Sequence, residues 1–253
     1  MPAKLSVNVN KVALLRNARP GEVPSVVEVA RAALDAGAHG ITVHPRPDQR
    51  HIRTGDVDDL AELLALPQYA DREFNIEGNP LDSGGGHLME ILRRIRPTQA
   101  TLVPDDPTQS TSDHGFPLTR PEVVAELTPI VAELREQGTR VSLFVDPDPE
   151  TAEAAKLTGA HRIELYTERY AKNFGTLKQT PVLDRFVSTA ARAQAVGLGV
   201  NAGHDLDLEN LRCFAENVPN LLEVSIGHAL IADALHDGIK NTVKNYVLCL
   251  RSL

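Results

Sequence analysis

The chain has 253 residues, 42% of them hydrophobic and 24% charged, which is the composition of an ordinary globular protein and excludes a disordered or fibrous one. Lys and Arg total 26 against 34 Asp and Glu, so the formal charge of -8 repels a phosphate backbone and no nucleic-acid partner is expected. No apolar stretch approaches the roughly 20 residues that span a bilayer, and the only cysteines, Cys213 and Cys249, lack metal or redox spacing; a soluble, unexported protein of the reducing cytoplasm, without a membrane partner, is the expectation.

Short apolar, largely β-branched runs recur along the chain, each followed by helical periodicity. The first predicted strand covers residues 5–8. Ser25 and Glu28 then have capping-box spacing, Val26, Ala30 and Ala33 share a face, and Gly37 supplies a stop, so a helix leads into a second strand at 40–44. A third strand, 73–77, is followed by Gly84-Gly85-Gly86, which lacks the G-x-G-x-x-G spacing of a dinucleotide turn and reads as a loop before a helix near His87. The fourth, 100–103, opens a segment at 104–118 rich in Asp, Pro, Thr and Ser, and loops of that length are often functional.

Thr119 and Glu122 repeat the capping signal before Val123, Leu127, Ile130 and Leu134, with Pro129 expected to kink that helix or interrupt its first turns. Strands at 140–145 and 162–165, a helix from about 182 to 197, strands at 199–201 and 222–225, and a helix starting near Ala229 complete the series. Eight strand–helix units in one domain of this length predict an α/β fold, a (β/α)8 TIM barrel with extra helices. A doubly wound open sheet is the structural competitor, and the missing glycine fingerprint counts against it.

Catalytic groups of such a barrel stand at the C-terminal strand ends. Here those ends carry Asn8-Val9-Asn10-Lys11, His44-Pro45-Arg46, Glu77, Glu164, Asn201-Ala202-Gly203-His204 and Ser225-Ile226-Gly227-His228. Buried His and Glu with shifted pKa values are what general acid–base chemistry uses. The two Gly-His pairs follow the strands whose loops commonly hold phosphate, and a helix beginning beside the second adds its positive end. Arg19, Arg46, Arg50 and His51 on early loops are candidates for a second anion. His114, His161 and His236 read as structural, Tyr166 and Tyr170 as packing, and Glu77 or Glu164 has a bland alternative as half of a buried ion pair, Glu164 with Arg162 two residues away on the same strand face. A metal-dependent hydrolase or lyase is the competing enzyme class, but His44-Pro45-Arg46 puts a cation where a His-x-His ligand pair would stand. A non-catalytic phosphosugar-binding protein is the non-enzymatic alternative.

The runs Asn8-Val9-Asn10-Lys11 with Leu15-Arg16-Asn17-Ala18-Arg19, Gly40-Ile41-Thr42-Val43-His44-Pro45-Arg46 through Arg50-His51-Ile52, Phe74-Asn75-Ile76-Glu77, Ser142-Leu143-Phe144-Val145-Asp146, Ile163-Glu164-Leu165, Val200-Asn201-Ala202-Gly203-His204 and Ile226-Gly227-His228-Ala229 occur in one order along nearly the whole chain. In this ordered series the chain resembles the pyridoxine 5'-phosphate synthase family. The resemblance implies a TIM barrel that condenses 3-amino-2-oxopropyl phosphate with 1-deoxy-D-xylulose 5-phosphate, releasing pyridoxine 5'-phosphate, phosphate and water, with no metal or organic cofactor and with homo-octameric assembly. By position it implies that His44 and Glu77 accept protons, His204 donates one and Glu164 stabilises transition states. It likewise implies that Asn8, Arg19, Gly227 and His228 contact the aminoketone phosphate, and Arg46, His51 and Thr111 the deoxyxylulose phosphate. Three features depart from the family pattern. Asn10 and Lys11 replace a common Asp-His, Asp205 replaces a common Gly after His204, and the stretch 78–86 is longer and richer in glycine. Asn10, Lys11 and Asp205 are kept as substrate-contact candidates, Lys11 for a phosphate.

Overall fold

The computed structural model describes residues 2–81, 87–106 and 112–251. Eight parallel strands form a closed barrel in sequence order: β1 (Lys4–Asn8), β2 (Gly40–Val43), β3 (Glu73–Gly78), β4 (Gln99–Leu102), β5 (Arg140–Val145), β6 (Arg162–Leu165), β7 (Gly199–Ala202) and β8 (Leu221–Ile226). The last strand closes on the first, with Ser6 opposite Ser225. Around the barrel lie α1 (Asn10–Asn17), α2 (Val26–Asp35), α3 (Thr54–Leu64), α4 (His87–Ile95), α5 (Pro121–Glu136), α6 (Pro149–Leu157), α7 (Glu168–Asn173), α8 (Gln179–Ala195), α9 (Leu211–Asn217), α10 (His228–Asp237) and α11 (Ile239–Arg251). The sequences following β1, β6 and β8 each supply two helices instead of one, which accounts for the helices beyond a simple eightfold repeat. No helix among the described residues is long and apolar enough to cross a membrane.

Strand alternation sorts the two barrel faces by polarity. Leu5, Val7, Ile41, Phe74, Ile76, Ala100, Leu102, Val141, Leu143, Ile163, Val200 and Val224 are buried in the main apolar cluster, which the helices share. Burying side chains of this size stabilises the fold by about 1.5–3 kcal/mol each. The residues between them are polar and meet across the lumen. Gln99 Nε2 on β4 donates to Glu223 Oε1 on β8 at 3.3 Å, and Asn201 Nδ2 on β7 donates to Gln99 Oε1 at 3.3 Å, although β4 is a ladder neighbour of neither strand. One layer higher, Thr101 Oγ1 lies 3.1 Å from Asn75 Oδ1 and 3.4 Å from Glu164 Oε2. Barrels of this class are usually filled by branched apolar side chains; this one is filled by hydrogen bonds.

The predicted elements are present, with shifted ends. Ser25 caps α2, its hydroxyl accepting the Glu28 N–H at 3.2 Å. At α5, Pro121 takes the first helical turn and Arg120 the cap position, so Thr119 is not the cap. Pro129 does not interrupt α5, which runs unbroken through it. The carbonyl it deprives of a helical partner belongs to exposed Ala125, and the neighbouring Thr128 hydroxyl donates to the Val124 carbonyl at 2.7 Å. Strand β2 ends at Val43 and leaves His44 outside the ladder, because the His44 N–H donates to the Asn10 side chain at 2.9 Å. The triplet Gly84–Gly86 and Thr111 lie outside the described residues.

Candidate active site

A cavity of about 290 Å³ opens at the C-terminal ends of the strands, where Asn8, His44, Glu77, Glu164, His204 and Gly227 converge. Its first wall is built by two asparagines. Asn8 Oδ1 accepts the Asn10 N–H at 3.0 Å, and Asn10 Oδ1 accepts the His44 N–H, so the ends of β1 and β2 are stitched by side chains where the ladder stops. Lys11, in the first turn of α1, reaches the same cavity and makes no side-chain hydrogen bond or ion pair among the described residues.

On the second wall His44 Nε2 is 3.0 Å from Asp105 Oδ2, Arg46 Nη2 donates to that same oxygen at 2.8 Å, and the Ser112 hydroxyl donates to Asp105 Oδ1 at 2.6 Å. Burial alone would raise the Asp105 pKa, but hydrogen bonds from His44 and Ser112 and the nearby basic groups outweigh it and hold it at about 2. His51 is fixed from behind: its Nδ1 accepts the Ile52 N–H at 2.9 Å, while Arg16 and Asn17 donate to its carbonyl at 3.1 and 2.8 Å. Burial, then the nearby basic groups His44, Arg46, Lys11 and Arg50, lower its pKa to about 3, so it enters the cavity as a neutral imidazole whose Nε2 carries the proton. Arg16 is itself buried on Asp56 and serves this scaffold.

Glu77 and Glu164 form the floor. Glu77 Oε2 lies 3.5 Å from Asn8 Nδ2 and 3.9 Å from His44 Nδ1. Burial, then the negative charges of Glu164, Asp105 and Glu223, push its pKa well above the ordinary carboxylate value. Burial raises Glu164 to about 7, offset in part by the Thr101 hydroxyl and the charge of His204. Two buried carboxyls with raised pKa values in one cavity are a frequent mark of acid–base sites. The ion pair of Glu164 with Arg162 does not form; Arg162 Nη1 goes to Asn201 Oδ1 at 3.0 Å and Glu223 Oε2 at 3.2 Å, one layer down.

The fourth wall carries His204, whose Nδ1 meets Asp205 Oδ2 at 2.8 Å and whose ring stands edge-on to Tyr166 at 5.4 Å. Tyr166 is a packing residue, and what it packs against includes this histidine. Gly203 is obligatory, because a Cβ there would lie 1.9 Å from the Ser225 carbonyl. At Gly227 a Cβ would crowd Asn8 at 3.1 Å, and the helix that begins at His228 aims its unpaired N–H groups toward the cavity.

Most of the polar candidates line this space. Arg19 is exposed near the end of α1 and outside the lining, and Thr111 is outside the described residues. Arg50 pairs with Asp48 at 2.6 Å and does not line the cavity. His161 is structural, its Nδ1 accepting the Val141 N–H at 3.0 Å. Sequence reasoning missed Asp105, Ser112, Val103 and Phe144; Asp105 and Ser112 lie in the Asp- and Ser-rich segment singled out by composition, which was the available signal. No group of three or more His, Cys, Asp or Glu side chains among the described residues is arranged to hold a metal ion.

The family described as pyridoxal phosphate biosynthesis protein PdxJ matches residues 5–252. A pyridoxine 5'-phosphate synthase of Albidiferax ferrireducens is 52% identical over 255 residues, covering 99% of this chain and 98% of its own length. Another, of Xanthomonas campestris pv. campestris, is 53% identical over 251 residues, covering 98% and 96%. Among solved structures, tryptophan synthase from M. tuberculosis in an open form with BRD0059 bound superposes with a TM-score of 0.65 at 14% identity, covering 99% of this chain and 93% of that one, a likeness of fold alone.

Proposed function

Since the chain belongs to the pyridoxal phosphate biosynthesis protein PdxJ family and is a pyridoxine 5'-phosphate synthase of vitamin B6 biosynthesis, we propose that the cavity at the strand ends is where the ring is closed. The substrates are 3-amino-2-oxopropyl phosphate and 1-deoxy-D-xylulose 5-phosphate. Amine attack on the ketone, loss of water, loss of phosphate and aldol-like closure each move a proton at a defined atom. Two carboxyls and two imidazoles around one cavity can share that work.

Glu77 and His44 take protons, His204 returns one, and Glu164 faces the positive charge that builds on nitrogen as the imine forms. A raised pKa makes the Glu77 carboxylate a stronger base once a substrate ammonium compensates its charge. The aminoketone phosphate sits at Gly227 and His228 against the start of α10, with Asn8 and Asp205 lining the same cavity, and the family resemblance adds Arg19. The deoxyxylulose phosphate sits toward Arg46, His51 and Lys11, with Asn10 on the same cavity, and the family resemblance adds Thr111 as a contact. The family resemblance adds a homo-octamer in the cytoplasm, which sedimentation and fractionation check.

The observation that carries this assignment is the approach of buried Glu77 to His44 at 3.9 Å, inside a cavity with cationic or N–H-rich groups on its walls. Chelator-treated protein mixed with both substrates should release pyridoxine 5'-phosphate and inorganic phosphate in equal amounts. Folded protein that binds deoxyxylulose phosphate and yields no product would overturn it.

A further inference from the structure

His44 has two faces, and only one of them is used above. Its Nδ1 looks toward Glu77; its Nε2 rests on Asp105, a buried carboxylate from the segment after β4 that has no assigned part in the reaction. We propose that Asp105 is a positioning residue for the ring closure, locking His44 with the proton on Nε2 so that the base works through Nδ1 alone. This rests on the function proposed above.

The polarity of the contact follows from what else Asp105 holds. Oδ2 receives the Arg46 guanidinium and Oδ1 receives the Ser112 hydroxyl, so both oxygens act as acceptors and the group is an ionised carboxylate without a proton to give. The bond at 3.0 Å is therefore donated by His44 Nε2. A neutral imidazole with Nε2–H has its lone pair on Nδ1, which is the nitrogen that looks across 3.9 Å to Glu77. The position is stiff as well as charged: the Asp105 carbonyl accepts the Asn79 side-chain N–H at 2.7 Å, and the His44 backbone N–H is tied to Asn10. The groups around the imidazole are thus Glu77, Asp105, Arg46 and His51, the last with ring centroids 6.3 Å apart.

In the step itself, a proton leaves the substrate and the lone pair of His44 Nδ1 takes it. The imidazolium keeps its Nε2–H on Asp105, whose charge then opposes the new positive charge; Asp105 stays ionised and no proton passes to it. The proton on Nδ1 leaves to a later leaving group, which restores the neutral ring.

Asp105→Asn tests this, because the amide oxygen can keep the bonds to Arg46 and the ring while the charge is lost. The expected result is a Tm near that of the native protein, kcat lower by about 100-fold or more and KM for deoxyxylulose phosphate changed by less than about fivefold. In ¹⁵N-histidine NMR of the substrate-free protein, the native His44 should show a single Nε2–H tautomer, and in the variant that proton should move upfield as a charge-assisted bond gives way to a neutral one. That spectrum needs no turnover, so it reports on Asp105 even if the function proposed above fails. Native kcat in the variant, or an unchanged His44 spectrum, overturns the proposal. If Asp105→Asn does not fold, Asp105→Glu keeps the charge and must keep the Nε2–H signal; its disappearance would equally sink the idea.

Discussion

Replacing Glu77 by Gln separates shape from proton affinity at the centre of the cavity. Burial and the neighbouring carboxylates raise the Glu77 pKa, so the site already disfavours a charge there, and the neutral amide matches the side chain in size. Asn8 Nδ2 at 3.5 Å can still meet an oxygen there. The change also removes repulsion with Glu164 and Asp105 whenever Glu77 would ionise. We therefore expect stability to move by no more than about 1 kcal/mol, or about 2–4 °C in Tm for a chain of this size. Turnover is different, because an amide cannot take the substrate proton. General acid–base participation contributes about 10²–10⁴, so kcat should fall at least about 100-fold, a barrier increase of about 2.7 kcal/mol at 1.36 kcal/mol per tenfold. KM should hardly change. The assay follows pyridoxine 5'-phosphate and phosphate together, beside a thermal melt. A folded variant that turns over within about tenfold of the native rate would remove Glu77 from the proton transfers.

Three further outcomes follow from the geometry. Glu164→Gln should flatten the pH dependence of stability: the folded pKa of about 7 lies above the ordinary 4.5, so the native state holds a proton that the unfolded chain releases, and stability present below about 4.5 is lost as pH rises through about 7. The variant should thus gain in Tm relative to the native protein above neutrality and not at pH 4, and equal differences at both pH values would contradict the shift. Lys11→Met should raise KM for deoxyxylulose phosphate by about 10-fold or more, the loss of one charge-assisted hydrogen bond, with kcat nearly constant; an unchanged KM would take Lys11 out of phosphate binding. Gly203→Ala forces a methyl to 1.9 Å from a backbone carbonyl, whereas Gly227→Ala meets the Asn8 side chain at 3.1 Å. The first should abolish soluble expression or cost at least about 3 kcal/mol, the upper end of overpacking penalties, and the second should cost less. Equal melting temperatures would refute the ranking.

The architecture was legible because its signal is local and repeated. Each strand is a short run with period-two alternation, each helix a separate periodic segment, and eight such units allow few topologies. Glu77, Glu164, His44 and His204 were legible for a related reason: the strand end is the catalytic position of a barrel, and strand ends are visible in sequence. What escaped was set by contacts between distant segments. Asp105 looks like one of several loop acids until β4 delivers it to His44 and Arg46, residues about sixty positions earlier. Arg16 carries no signal of its own in the sequence, and only the fold turns it inward onto Asp56. Thr119 failed as a cap because Pro121 already fitted the first turn. The polar residues at mid-strand, such as Gln99 and Thr101, were passed over because strands were judged by their apolar members.

Those mid-strand residues bear on modularity. Eight repeated units invite the view that the barrel is two four-stranded halves, each able to fold alone. Yet the lumen bonds cross that divide: Gln99 on β4 pairs with Glu223 on β8, Thr101 on β4 with Glu164 on β6, and Glu73 on β3 with Arg140 on β5. A half-barrel would expose its apolar outer face only partly, but it would leave every one of these groups without its counterpart, at about 1–3 kcal/mol for each polar group left unsatisfied and more where it is charged. The same interior that stores protons for the cavity thus makes the barrel a single indivisible unit of folding.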